Sequence, residues 1–404
     1  MLLILAFAIP WEYSLDLGAP LGNVARILGL LLLLAAVPAV LQAGRMRTPG
    51  PLQVLVLALF LWFCCTYFFT IDQAMTLEKM RGYFQEMMIV WLVWEFAESP
   101  GDLRALLRAF VAGSWVLALL TLASFSSPEA IAEGQIRFAA YGQDPNDVAR
   151  FLDMGFPLAA LLLNGESRWP ERLLALGYLP LGLFAVVLTA SRGGFLAALA
   201  ALAGCGFVLA RGHFRAVVAS VLALPAVAAA LWFTVPHEIF ERLATIPGQL
   251  RGGDLNQRVN IWSAGWHAFA RAPLFGSGAG TFVAAAGLAP ADTAHNTVLS
   301  IAVGGGLCAL TLAAFILVVT VRSILKTRGP LRLALAFALL VWLVTSLVAS
   351  VEESRTTWLL FALIALAGRL AGDEPERLAE CFPDVERIRE DSLLHPALSQ
   401  QPAE

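Results

Sequence analysis

Apolar runs of about 20 residues, repeated along most of the chain, constrain its fold more than any other feature. A hydrocarbon layer about 30 Å thick takes roughly 20 helical residues to cross. That ruler marks twelve candidate spans, near 2–17, 22–43, 51–70, 77–97, 103–124, 145–164, 172–190, 193–210, 214–234, 295–321, 331–350 and 355–370. The expected fold is therefore an all-α polytopic membrane protein with about 12 transmembrane helices. Composition agrees, with 59% hydrophobic and 14% charged residues, against roughly 45–50% and about 25% in soluble domains. The first span is the least regular, because Pro10, Glu12 and Asp16 crowd its end.

Lys and Arg are retained on the cytoplasmic side during insertion, so their distribution among short loops sets orientation. One set of alternate connections holds Arg45 and Arg47, Arg104 and Arg108, Arg168 and Arg172, Arg211 and Arg215, then Arg322, Lys326, Arg328 and Arg332. That set is expected to be cytoplasmic, with both termini inside. The opposite set contains the 125–144 loop, the turn at Ser191-Arg192-Gly193 and one long polar stretch, 235–294, expected to face the periplasm and to contain short helices. Residues 1–370 then form the transmembrane domain and 371–404 a largely disordered cytoplasmic tail with one short amphipathic piece near Leu378–Ile388. Met1-Leu2-Leu3-Ile4-Leu5 has no basic n-region, so the N-terminus is read as a membrane segment rather than a cleaved signal. None of the five cysteines forms a CxxC metal spacing or an evident disulfide pair. The net charge of −3 gives no reason to expect a nucleic-acid partner.

A charge at a membrane boundary is costly and tends to mark a site or a pair. Arg192 stands where two apolar runs meet with almost no loop, so its guanidinium cannot leave the membrane surface; Gly193 and Gly194 allow the tight turn. Arg258 opens an amphipathic stretch, and at 100° per residue Trp262 and Trp266 fall near its face, which suits a cation beside indoles. His295 ends the long loop and opens a span, beside Asn296. An imidazole titrates close enough to neutrality to take a proton from a hydroxyl. Of the other histidines, His213 lies in a basic loop, His237 and His267 in the long loop and His395 in the tail. Interfacial snorkelling for the arginines and tryptophans, and a structural role for the histidine, are the competing readings.

Asp144-Pro145-Asn146-Asp147 reads as helix punctuation, with Asp144 as N-cap and Pro145 at the first helical position. That leaves Asn146 over as a candidate contact. Arg150 and Asp153, one turn apart, are expected to neutralise each other. Arg137, in the preceding loop, is a candidate for an anion, and Arg81, within the charged group Glu78, Lys79, Arg81 and Glu86, a second. The chain lacks a DxD pair, HExxH, GxSxG and Walker A, so metal-dependent glycosyl transfer, zinc hydrolysis, nucleophile-elbow chemistry and ATP-driven pumping lack their usual signatures.

Taken together, Asp144-Pro145-Asn146-Asp147, Ser191-Arg192-Gly193-Gly194, Arg258 with Trp262, Pro273-Leu274-Phe275-Gly276-Ser277-Gly278 and Ala294-His295-Asn296-Thr297 resemble the O-antigen ligase and O-antigen polymerase superfamily of bacterial envelope proteins, over about residues 20–365. The resemblance implies an inner-membrane glycosyltransferase without cofactor or metal. It moves a glycan from undecaprenyl diphosphate to a hydroxyl of lipid A-core (ligase) or of another repeat unit (polymerase). Arg192 and Arg258 would hold the diphosphate and His295 would activate the acceptor. Asn146, Asn296, Arg137, Arg81 and Trp262, chosen from their positions in the sequence rather than from the resemblance, are the expected substrate contacts. A ligase pattern of His-Asn, nine residues, Gly, two residues, Gly is met at His295-Asn296 and Gly306, but Ala309 stands in place of the second glycine. A protein O-oligosaccharyltransferase or a transporter are further alternatives. A transporter would show two corresponding halves with interrupted helices, whereas here one loop dominates.

Overall fold

The computed structural model describes residues 1–15, 17–18, 22–132, 134–164, 169–211, 214–255, 257–290 and 292–384. Expectations for Asp16, Arg168, His213, His395, the side chain of Arg215 and the tail beyond Asp384 lie outside them.

Every regular element among the described residues is helical. The chain begins with α1 (Leu2–Ala8) and a 3-10 turn (Ile9–Ser14), followed by α2 (Val24–Ala43), α3 (Pro51–Thr66), α4 (Gln73–Phe96) and α5 (Pro100–Phe125). After the short α6 (Pro128–Ala132) come α7 (Pro145–Leu162), α8 (Trp169–Leu188), α9 (Arg192–Ala210) and α10 (Phe214–Thr234). The long loop holds α11 (His237–Ala244), α12 (Ile246–Gly252), α13 (Arg258–Arg271) and α14 (Phe282–Ala286). Then follow α15 (Thr297–Lys326), α16 (Gly329–Ser346), a 3-10 turn (Val351–Glu353), α17 (Arg355–Asp373) and α18 (Pro375–Cys381).

Each expected span coincides with a helix, but not all are alike. Seven, namely α2, α5, α8, α9, α15, α16 and α17, are long and apolar enough to cross a membrane by themselves. α3 is shorter, at 16 residues; α4 and α7 have the length but carry several charges each. The first span is corrected. Its α-helix stops at Ala8, because Pro10 has no N–H to continue the ladder and Trp11 leaves helical geometry at φ −118°, ψ 17°. Glu12 turns inward, fully buried, to pair with Arg355 of α17.

α7 is the hub. From Val148 to Leu162 every residue is buried, and it packs against α5, α8, α9 and α16. A second expectation fails here: Arg150 bonds Asp147 (Nη2 to Oδ1, 2.7 Å), not Asp153. Helical side chains lean toward the N-terminus, so Arg150 reaches back one turn. Asp153 is left buried with neither carboxylate oxygen hydrogen-bonded.

α15 is not one continuous rod. At Gly306 the backbone takes φ 67°, ψ −163°, a conformation open to glycine but strained for other residues. The groups freed by this break bond the Gly-rich stretch of the long loop. Ser277 N donates to Val303 O at 2.8 Å and Gly278 N to Gly304 O at 3.0 Å, while Leu307 N donates to Pro273 O at 2.8 Å and Cys308 N to Leu274 O at 3.3 Å. Trp62 of α3 donates to Gly305 O at 2.8 Å. Non-helical backbone at membrane depth is tolerated only where protein supplies such partners.

Several polar contacts gather the helix ends opposite the long loop. Arg104 of α5 bonds Glu171 of α8 at 2.8 Å, Leu162 O at 3.0 Å and Cys381 O at 2.7 Å. The expected basic connection is thus partly a structural tie.

A Cβ at Gly306 would meet Phe275 N at 2.6 Å and keep the residue at positive φ. Gly306→Ala should therefore destabilise the fold by about 2 kcal/mol or more, read as a lower thermal midpoint in detergent together with faster proteolysis of the 273–278 stretch.

Candidate functional site

Only Thr189, Ala190 and Ser191 separate α8 from α9, so the chain reverses sharply, with Ala190 in left-handed geometry at φ 48°. Ser191 caps α9 by accepting from Gly194 N at 3.1 Å. Its hydroxyl also donates to Asn146 Oδ1 at 2.7 Å, and Arg137 Nη2 donates to that same oxygen at 3.0 Å. The last carbonyls of a helix lack intrahelical donors and carry partial negative charge. Here the turn carbonyls attract arginines: Arg137 Nε donates to Thr189 O at 3.3 Å and Arg242 Nε to Ala190 O at 3.1 Å. Each guanidinium keeps further N–H groups beyond the one held by the turn.

Arg258 is the first residue of α13, entered through Leu255 and Gln257, both at positive φ. Ile261 and Ala268 of that helix pack with Phe282, Ala294 and Val303, which fixes α13 against α15. Trp262 Nε1 donates to Ala294 O at 3.2 Å. Next to that carbonyl, His295 is left-handed at φ 45°. Asn296 then caps α15, accepting from Leu299 N at 2.9 Å and donating to Leu347 O at 3.2 Å. Thr297 Oγ1 donates to Ala349 O and accepts from Val351 N, both at 2.9 Å. The backbone that carries His295 is thereby held between the loop and the α16–α17 connection.

A cavity of about 280 Å³ forms where these elements meet, lined by Arg137, Arg192, Arg242, Arg258 and His295, with Asn146 and Ser191. Arg192, Arg258 and His295, from three separate parts of the chain, thus share one cavity with Arg137 and Asn146. Three other candidates lie elsewhere. Arg81 is exposed on α4 and lines none of the cavities beside His295. Trp262 spends its indole N–H on Ala294 O, next to His295, and Asn296 spends its side chain on Leu299 N and Leu347 O, and neither residue lines the cavities beside His295. Among the described residues no cation–aromatic contact joins Arg258 to Trp262. Arg242 and Arg150 also line the cavity; sequence reasoning did not select them, since neither sits in a motif and Arg150 looked neutralised by Asp153.

Burial, with the other arginines adding, pushes Arg137, Arg242 and Arg258 below the usual guanidinium range, while Asp144 opposes the shift at Arg137 and Arg258. Burial first and Arg258 second hold His295 below the ordinary imidazole value of 6.5, against Asp144, Asp292 and Asp147. His295 is therefore neutral at pH 7. Among the described residues no group of three His, Cys, Asp or Glu could hold a metal ion. A larger cavity of about 500 Å³ between Arg328 and Phe382 on the opposite face contains no histidine.

Fold and site together define a polytopic helical membrane protein whose cavity joins clustered guanidiniums to one neutral imidazole. Residues 177–314, which run from α8 through the loop into α15, match the family model described as O-antigen ligase, and this supports placing the chain in the O-antigen ligase superfamily. The match indicates activity of the O-antigen ligase or polymerase type. No curated protein matches the chain.

Ser191→Ala removes both the cap of α9 and a donor to Asn146. The expected cost is about 1–2 kcal/mol, measured as a fall in thermal midpoint, with Ser191→Thr retaining most of the stability.

Proposed function

We propose that this protein is an inverting, metal-independent glycan transferase facing the periplasm from the inner membrane, which moves O-antigen polysaccharide from undecaprenyl diphosphate to a sugar hydroxyl of lipid A-core. The observation that carries this reading is the single cavity shared by Arg137, Arg192, Arg242, Arg258 and His295. A diphosphate presents several oxygens in forked geometry, which guanidiniums bind in bidentate fashion. The N-termini of α7, α9 and α13 lie at the same cavity and add partial positive charge.

In the reaction, the acceptor oxygen attacks the anomeric carbon opposite the diphosphate and its proton passes to the neutral imidazole of His295. The bond from the anomeric carbon to the phosphate oxygen breaks with its electron pair on that oxygen. Undecaprenyl diphosphate departs, and the arginines stabilise the charge that grows on it. No nucleotide is consumed. The polymerase alternative uses identical chemistry with a second lipid-linked repeat unit as acceptor, and Ala309 at the second glycine position of the ligase pattern keeps it in play. Offering lipid A-core and lipid-linked repeat unit in competition to the purified protein separates the two.

Because His295 has positive φ, His295→Asn, whose side chain tolerates that conformation, removes the base with little backbone strain. It should lower turnover by about 10²–10⁴-fold with a near-native thermal midpoint; near-normal formation of the glycan product would sink the base assignment. Arg192→Lys should lose most activity, since an ammonium cannot reproduce the fork, and turnover should survive EDTA. A histidine with lowered pKa stays neutral to lower pH, so the acid limb of turnover against pH should have its midpoint below 6.5 and move up toward that value in Arg258→Gln.

A further inference from the structure

A second cavity, of about 450 Å³, adjoins the first at His295. Asp144, Asn146, Arg150, His295, Val348 and Ala349 line both, so the imidazole stands at the junction. Charge divides sharply across it. The first cavity has five arginines, the four above and Arg150, against Asp144 alone. The second has Asp144, Asp147, Asp292 and Glu353 against Arg150 and Lys79. Both of those cations are already matched, Lys79 by Glu353 and Arg150 by Asp147. Through Lys79, Gly280 and Glu353 the space continues into a third, of about 370 Å³, where Glu78 adds another carboxylate and the buried Glu86 a further acidic side chain.

Two buried groups on the wall of the second cavity point to a ligand. Arg150, only 2% exposed, has Nε and Nη1 without a hydrogen-bond partner, and Ser354, 6% exposed, has its Oγ likewise unpartnered. These atoms have almost no accessible surface, so an oxygen of a bound molecule meets them only when the side chains turn toward the cavity, a movement that recovers the free energy unmet buried donors cost. The carboxylates, in turn, accept from hydroxyl or ammonium groups, whereas a phosphate or carboxylate brings no donor and is repelled.

We infer that this second cavity is the acceptor subsite, and that its carboxylates select an uncharged or amine-bearing sugar over a phosphorylated or carboxylated one. The inference rests on the proposed role of His295 as base, because the hydroxyl that is attacked from must lie beside that imidazole. Donor and acceptor are thereby sorted by charge: the anionic diphosphate to the arginine side, the neutral or cationic sugar to the carboxylate side. Any phosphate carried by a lipid A-core acceptor has to sit outside this cavity.

The test uses the purified full-length protein with its lipid-linked glycan and three short alkyl glycosides as acceptors: a neutral hexoside, its 2-amino analogue and its 6-phosphate. The neutral and amino forms should exceed the phosphate in kcat/KM by about tenfold or more. Neutralising two carboxylates at the accessible rim, with Glu78→Gln and Asp292→Asn together, should shrink that ratio by about fivefold. Equal use of the phosphorylated acceptor by the unmodified protein, or an unchanged ratio in the double variant, overturns the inference and leaves the proposed function standing. Transfer that persists in His295→Asn overturns the base role instead. If the unmodified protein transfers to none of the three, both readings fail.

Discussion

The exchange of backbone hydrogen bonds between the broken α15 and the loop segment 273–278 is the interaction on which the site depends. Thirty residues of helix could run straight through. Instead the chain opens at Gly306, and the loop supplies donors and acceptors for the groups so released. The first half of α15 then takes its direction from the loop rather than from its own second half. His295 precedes that half, and Arg258 sits on the loop helix packed against it. One joint therefore places the imidazole of His295 and the guanidinium of Arg258 relative to each other.

Charge is the second organising term. Guanidiniums crowded into a cavity of about 280 Å³ repel, and at the dielectric typical of protein surfaces each close pair is worth on the order of a few kcal/mol. Rigid attachment offsets part of this: Arg137 and Arg242 are held by carbonyls of the α8–α9 turn, where a helix end is already partly negative. What remains is a cluster of fixed positive charge, which under the proposed function would meet the diphosphate without reorganising during the reaction. Strained backbone at Ala190 and His295 belongs to the same arrangement.

The helices were legible because hydrophobic run length is a local property. So was the start of α7, where Asp144 caps the helix as expected; Asp72, Ser191 and Asn296 cap α4, α9 and α15 in the same way, though their capping was not read from the sequence. Arg192 and His295 stood out because a charge and a titratable ring at membrane boundaries need a reason. Spatial assembly was not legible: nothing in the sequence says that the turn before α9, the start of α13 and the start of α15 meet. Arg150 shows the limit within a single helix, where Asp147 and Asp153 are equally spaced from it and only the lean of the side chains decides. Arg81 lies away from the cavity for a related reason, as four charges on one helix do not reveal which of them faces inward. The first span departs from expectation because Pro10 ends the helix and Glu12 has a partner more than 300 residues away in Arg355.

The joint at Gly306 has a consequence for how the protein can be divided. The loop from Val235 to Ala294 looks from its polarity like a module resting on a membrane base. Its Gly-rich segment, however, completes the hydrogen bonding of α15, and α15 completes that of the segment. Neither can be lifted out whole: a soluble fragment of the loop would present unmet backbone groups at 273–278, and a membrane core without the loop would expose them at 303–308. The two are halves of one cooperative unit and should appear, fold and drift in sequence as a single inherited piece.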